Sequence, residues 1–120
     1  MGDSRAQAQR NLIASRLEKL GRVDEAIPLY EANVKEDFDG SHPYDRLATI
    51  YRKREQLDDA IRVLERAVWV FENIVPEERD GRELKLAVLR KRLERAKRLR
   101  RSFWRGCLRT ESRCRRSLGT

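Results

Sequence analysis

Apolar residues return every three or four positions in five stretches, and polar or Gly/Pro-containing turns divide them, so the chain reads as helical throughout. The first stretch, about Ser4 to Leu20, carries a stripe of Ile13, Leu17 and Leu20. Ser4 and Gln7 stand at capping-box spacing, and Gly21 stands where a left-handed residue closes a helix. The second begins after Asp24 and reaches about Lys35, with Ala26, Ile27, Tyr30 and Val34 on one face. Pro28 falls in its first turn, where a missing N–H costs least. Residues 36–42 read as a turn, and Pro43 opens a third helix that runs to about Arg54 with Tyr44, Leu47, Ala48 and Tyr51 inward. Asp58 is the expected cap of a fourth helix. Its buried side holds Ala60, Ile61, Leu64, Ala67 and Val68, and its pattern reaches as far as Asn73. After a break over 75–81, Asp80 and Glu83 predict the start of a fifth, with Leu86, Leu89, Leu93 and Ala96 inward.

The first four stretches form two copies of one pattern. Laying residues 7–40 over 41–74 without gaps gives the identities Ala14/Ala48, Lys19/Lys53, Asp24/Asp58, Ala26/Ala60, Ile27/Ile61, Glu31/Glu65 and Val34/Val68. A fixed period of this length signals stacked helix-turn-helix units. Alanines at 14, 26, 48 and 60 would let paired helices approach closely while larger residues fill the gaps. Gly21, Ala26 and Tyr30 in the first copy, with Ala48, Tyr51, Ala60 and Ala67 in the second, resemble the tetratricopeptide repeat family. Glu55 departs from that pattern where a turn glycine is usual, and Asn33 departs where a small residue is usual. Neither copy ends in the expected proline.

The resemblance implies an all-α stack of helical hairpins, about five helices in a right-handed superhelix. Residues 1–101 would be a single domain, with repeats at about 7–40 and 41–74. Residues 82–101 would be a helix sealing the last apolar face. It further implies a protein–protein interaction module without catalysis or cofactor. The first helix of each unit would line a groove that holds a peptide or partner helix. Carried over by position, that groove presents Asn11, Ser15, Glu18, Asp45, Arg46, Thr49, Arg52 and Lys53. Some family members grip terminal carboxylates with a Lys-Asn-Asn-Lys-Arg set. Here Asn11 and Ser15 stand at its first two positions and Arg46 at the third, and no third repeat in register supplies the last pair. Two repeats are few for a stable array, so self-association through exposed ends is a further expectation.

Charge adds a second reading. The 120 residues carry a net charge of +8, distributed unevenly. Residues 1–81 hold 13 Lys and Arg against 17 Asp and Glu, whereas 82–120 hold 15 against 3. A phosphate backbone or an anionic surface would be drawn to the fifth helix. Arg90, Arg92, Arg95, Arg98 and Arg101 are its candidate anion-binding residues. Residues 102–120 have glycines, no sustained period and a high positive charge, and are expected to form a disordered basic tail, with Phe103 and Trp104 available to dock back on the bundle or to stack on a base.

Other chemistries find little support in the residues. His42 is the one histidine and reads as part of a helix start; with Cys107 and Cys114 in the basic tail, a metal site lacks ligands, and the thiols read as reduced. No Gly-rich phosphate loop or nucleophile motif occurs, and pairs such as Asp58-Asp59 read as charges favoured by a helix dipole. No apolar run approaches the ~20 residues of a membrane span. Met1 to Gln7 lacks the apolar core of a secretory signal, so the expectation is a cytoplasmic protein.

Overall fold

Why these residues form paired helices is most visible where each helix stops. The computed structural model describes residues 3–109 and places five helices in them: α1 Ser4–Lys19, α2 Val23–Lys35, α3 His42–Lys53, α4 Leu57–Asn73 and α5 Arg82–Arg109. At the end of α1, Gly21 takes φ +78°. Its N–H donates to Glu18 O at 3.0 Å, and the N–H of Arg22 reaches back to Leu17 O at 2.8 Å. This pair of bonds satisfies carbonyls that the helix would otherwise leave bare. Thirty-four residues later the same turn recurs: Glu55 takes φ +61°, its N–H meets Arg52 O at 3.1 Å, and Gln56 N–H meets Tyr51 O at 2.8 Å. The departure at Glu55 therefore changes the residue but not the turn.

The period holds in the packing. α1 packs on α2, α2 on α3, α3 on α4 and α4 on α5, an all-helical arrangement with no strand among the described residues. Ala26 and Ala60 each occupy the fourth position of the second helix of a hairpin and are 0% and 1% exposed. Ala14 and Ala48, in the first helices, are equally enclosed. Tyr30, Tyr44, Leu47, Val63 and Val70 fill the space between them.

Several local expectations are corrected. Asp3, not Ser4, caps α1, its Oδ1 accepting from Arg5 N at 3.1 Å, and Gln7 points instead at Glu36. Ile13 and Leu20 lie on the outer side of α1, largely exposed, and the helix buries Gln7 and Ala14 with Leu17 beside them. Among the described residues no helix covers that outer side. Gln56 rather than Asp58 is the N-cap of α4, and no side chain bonds there. Asp58 is the second residue of the helix, in its first turn, where its charge still favours the dipole. Gly81 O, not Asp80, receives the first bond of α5, from Lys85 N at 2.9 Å.

The period breaks after α4. That helix has 17 residues against 13 in α2, because Val70 and Phe71 continue its buried face for another turn. A third unit in register would begin near residue 76; α5 begins at Arg82. The overrun is closed by an arginine. Arg82, 8% exposed, donates from Nε to Phe71 O at 2.9 Å and to Val75 O at 3.2 Å, a cation on the negative end of α4. Beyond it, α5 runs past Arg101 to Arg109, through residues expected to be disordered. Arg, Leu and Lys are strong helix formers, and no glycine intervenes before Gly106. Phe103 and Trp104 do not dock back: they stay 41% and 48% exposed and pack edge-on at 6.2 Å. The remaining tail, residues 110–120 with Cys114, lies outside the described residues.

The two equivalent turns make a paired prediction. Glu55→Gly removes a side chain from a left-handed backbone and is expected to stabilise the fold by about 1 kcal/mol. Gly21→Ala, where a Cβ meets nothing within 4 Å, is expected to cost about 1 kcal/mol from backbone strain alone. Denaturant midpoints at constant slope would measure both, and the two shifts should have opposite sign.

Candidate functional site

The face shared by α1, α3 and α5 gathers most of the predicted groove residues, and it gathers them by pairing them. Glu18 of α1 receives the Arg46 guanidinium of α3 on both oxygens, the closest contact being Nη2 to Oε1 at 2.6 Å. Tyr30 of α2 donates its hydroxyl to Glu18 Oε2 at 2.6 Å. Ser15 Oγ lies 3.3 Å from that hydroxyl and 3.0 Å from His42 Nε2, and the His42 ring meets Tyr30 edge-on at 5.6 Å. His42 thus belongs to the seam between the two hairpins and does more than open a helix. Asn11 is drawn inward, its Oδ1 accepting from Asn33 Nδ2 at 2.8 Å.

The second half of the face depends on α5. Asp45 of α3 accepts from Arg92 Nη1 at 2.8 Å and faces Lys85 Nζ at 2.9 Å. Arg92 Nη2 also donates to Thr49 Oγ1 at 3.2 Å, while Thr49 bonds the Asp45 carbonyl of its own helix. Arg52 and Lys53, in the last turn of α3, remain exposed.

The candidate anion-binding arginines divide into two groups. Arg90 donates to Glu72 Oε2 at 2.6 Å and Arg92 serves Asp45, and nearby Arg100 holds Asp58 at 3.0 Å. Arg95, Arg98 and Arg101 are exposed and have no acidic partner among the described residues. Part of the positive charge of α5 is therefore spent fastening it to the acidic repeats.

Two features escape the sequence reading. Asn33, fully buried, donates to Gln7 O at 2.9 Å as well as to Asn11, and accepts from Arg10 Nη1 at 3.0 Å. A small residue there would leave Gln7 O and Arg10 short of a partner, which accounts for the departure from the repeat pattern. Between α2 and α4, an open cleft of about 750 Å³ is lined by Glu31, Val34, Arg62, Arg66 and Trp69 among others. Arg66 lies 4.3 Å over the Trp69 ring. The only signal in the sequence was the i, i+3 spacing of that pair, too common to single out.

Environment shifts several acids and phenols of this region. Burial pushes the Glu18 carboxyl up, but hydrogen bonds from Arg46 and Tyr30, with the Arg46 charge, outweigh it and hold the group below its ordinary value. Glu31 behaves alike: burial opposes ionisation, and Arg62 with the Tyr51 hydroxyl more than compensates. Burial, then donation to Glu18, raises Tyr30 to about 12. Burial and donation to Glu31 raise Tyr51 in the same direction.

No helix among the described residues is long and apolar enough to cross a membrane. Among them, no cluster of His, Cys, Asp and Glu is arranged to hold a metal ion. Residues 44–70, from the first turn of α3 to the last part of α4, match the family model described as Tetratricopeptide repeat. The five-helix stack is consistent with such repeats. No match was found among curated proteins or among solved structures.

The shifts predict the shape of the stability profile. Lowered carboxylates contribute stability above their unfolded value of 4.5 that is lost as pH falls through their lower folded values. The raised Tyr30 contributes stability below pH 10 that disappears as pH climbs through about 12. Thermal midpoints should be flat between these limits. Glu18→Gln should lower the plateau by about 1–2 kcal/mol, since Arg46 loses its charged partner, and should flatten the acid limb. An unchanged acid limb would show that Glu18 is not held in this pairing.

Proposed function

We propose that this chain, which carries a tetratricopeptide repeat over residues 44–70, is a non-catalytic protein–protein interaction module whose α1–α3–α5 face receives a peptide or partner helix. A repeat of this family suggests a protein-binding scaffold as a class, and the geometry supports a particular face of it. The observation that carries the reading is the interlocking of that face: Ser15 with His42, Glu18 with Arg46, and Asp45 with Lys85 and Arg92. These pairs fix the polar side chains in place before any partner arrives, so binding need not order them. Donors and acceptors of both signs then stand along one surface, where a partner's backbone and side chains can exchange hydrogen bonds with them.

A second reading rests on Arg95, Arg98 and Arg101, whose charges are not neutralised by acids among the described residues. They would attract an anionic polymer without reading its sequence. Retention on DNA or RNA that falls steeply between ~50 mM and ~200 mM salt would support this reading, and retention absent at both would remove it.

The groove is tested by selecting peptides from a displayed library on the full chain and measuring Kd against variants. Arg46→Gln and Ser15→Lys should each weaken a selected peptide at least tenfold, a loss of about 1.4 kcal/mol. Glu65→Lys, on the cleft between α2 and α4, should leave it unchanged. Equal losses at all three positions, with circular dichroism unaltered, would move binding off the α1–α3–α5 face.

A further inference from the structure

Residues that the sequence assigns to two separate sites meet in one place. Arg52 comes from the groove set on α3, and Arg92 and Arg95 come from the basic set on α5. All three surround a cavity of about 40 Å³ at the junction of α3, α4 and α5. The cavity exists because Ala48, Ala60 and Ala96 leave room where larger side chains would close the junction, and Leu64 and Leu99 complete its apolar lining. A space of that size holds roughly one small polar group, since a water needs only about 10–15 Å³ measured this way.

Its charge is one-sided. The cavity lining contains three guanidinium groups and no acid. Of the three, Arg92 is already paired with Asp45, which Lys85 shares. Arg52 and Arg95 are exposed and without an acidic partner among the described residues. Arginines presenting a planar fork beside an apolar wall favour a planar anion with a hydrocarbon stem. We propose that this cavity is the anchor for an acidic side chain, Asp or Glu, of the partner segment held in the groove. The carboxylate would bridge Arg52 and Arg95 and its methylene stem would lie on Leu99. This deepens the groove reading and rests on it.

Positive charge continues beyond the cavity, with Lys53 next to Arg52 and Arg98 one turn after Arg95. A field of that extent favours an internal run of acidic residues over a single chain terminus. The site also differs from the Lys-Asn-Asn-Lys-Arg set, whose first three positions hold Asn11, Ser15 and Arg46, none of which lines the cavity. Nucleic acid is disfavoured here, because the lining offers no aromatic face for a base.

The test uses the full chain, labelled with nitrogen-15, and a blocked peptide, acetyl-Leu-Glu-Glu-Leu-Glu-amide. Three comparison probes accompany it: the Gln-for-Glu version, that version with a free C-terminal carboxylate, and a single-stranded oligonucleotide. The expected result is that the Glu peptide shifts the Arg52 and Arg95 Nε–Hε resonances and binds at least tenfold more tightly than the blocked Gln peptide. The variant carrying Arg52→Gln and Arg95→Gln should abolish that preference with helicity and Tm unchanged. Both positions are exposed, so the fold should tolerate it. The proposal is overturned by equal binding of Glu and Gln peptides, by a preference that survives the double variant, or by resonance shifts produced only by the free terminus or the oligonucleotide. Peptides that perturb α1 and α3 amides without touching Arg52 and Arg95 leave the groove reading standing and remove this anchor alone. Glu peptide at millimolar concentration that shifts no resonance removes the anchor, and removes the groove reading with it where the Gln peptide is equally silent.

Discussion

Two helices of this chain can lie against each other only if the backbone reverses within a few residues, and that reversal demands a residue with positive φ at a fixed place. Gly21 and Glu55 supply it 34 residues apart, each with the same two carbonyls of the preceding helix satisfied by the turn. Asp37 repeats the device after α2, at φ 56°, with Phe38 N–H returning to Asn33 O at 3.0 Å and with Arg66 paired to its carboxylate. Once the reversals are set, the alanines at 14, 26, 48 and 60 decide how near the helices come, and the tyrosines decide what fills the remainder. The stack is thus specified first by backbone conformation and only then by apolar area.

The same constraint explains where the repetition ends. α4 does not reverse where α2 does, because Val70 and Phe71 still have a core to enter. The helix continues for a turn, and Arg82 takes the carbonyls of Phe71 and Glu72 from it and that of Val75 just beyond. A buried arginine is costly unless its donors are used. Here Nε, Nη1 and Nη2 all find acceptors, among them Glu83 at 2.6 Å. α5 accordingly starts at a register that the repeat does not dictate, and it contributes Lys85 and Arg92 to the groove in place of the residues that a third repeat would have carried.

How much of this was legible in the sequence follows from the kind of physics involved. Helix number, the two reversals and the inward faces of α2, α3 and α4 follow from periodicity and small residues, which act locally. The inward face of α1 is not legible locally, because Ile13 and Leu20 satisfy the helical period as well as Ala14 does; which side is covered depends on α2, not on α1. α5 extends beyond the sequence expectation because high charge does not itself break a helix: Arg and Lys are good helix residues when few β-branched or Gly positions interrupt them. Asn33 looked like a flaw in the repeat and is the centre of a satisfied polar cluster, a property that no pairwise alignment of the two copies could display. The groove residues were located by position, but not that Glu18 and Arg46, or Asp45 and Arg92, would neutralise one another.

That mutual neutralisation is what gives the remaining charges their meaning. A helix with 12 basic residues over 82–109 against two acids would, in isolation, bind any polyanion through a uniform field. Packed on repeats that offer Glu72, Asp45 and Asp58, it loses Arg90, Arg92 and Arg100 to specific partners. Arg95 stands beside Arg52 at the mouth of an apolar cavity, and Arg98 and Arg101 lie on the exposed side. An acid entering the cavity is screened by protein on several sides, where a charge-assisted hydrogen bond is stronger than on an open helix. Specificity can therefore arise at one point of a surface whose overall composition suggests none: the acidic repeats pair Lys85, Arg90, Arg92 and Arg100 and leave Arg95 beside Arg52, where an anion can also be held by shape.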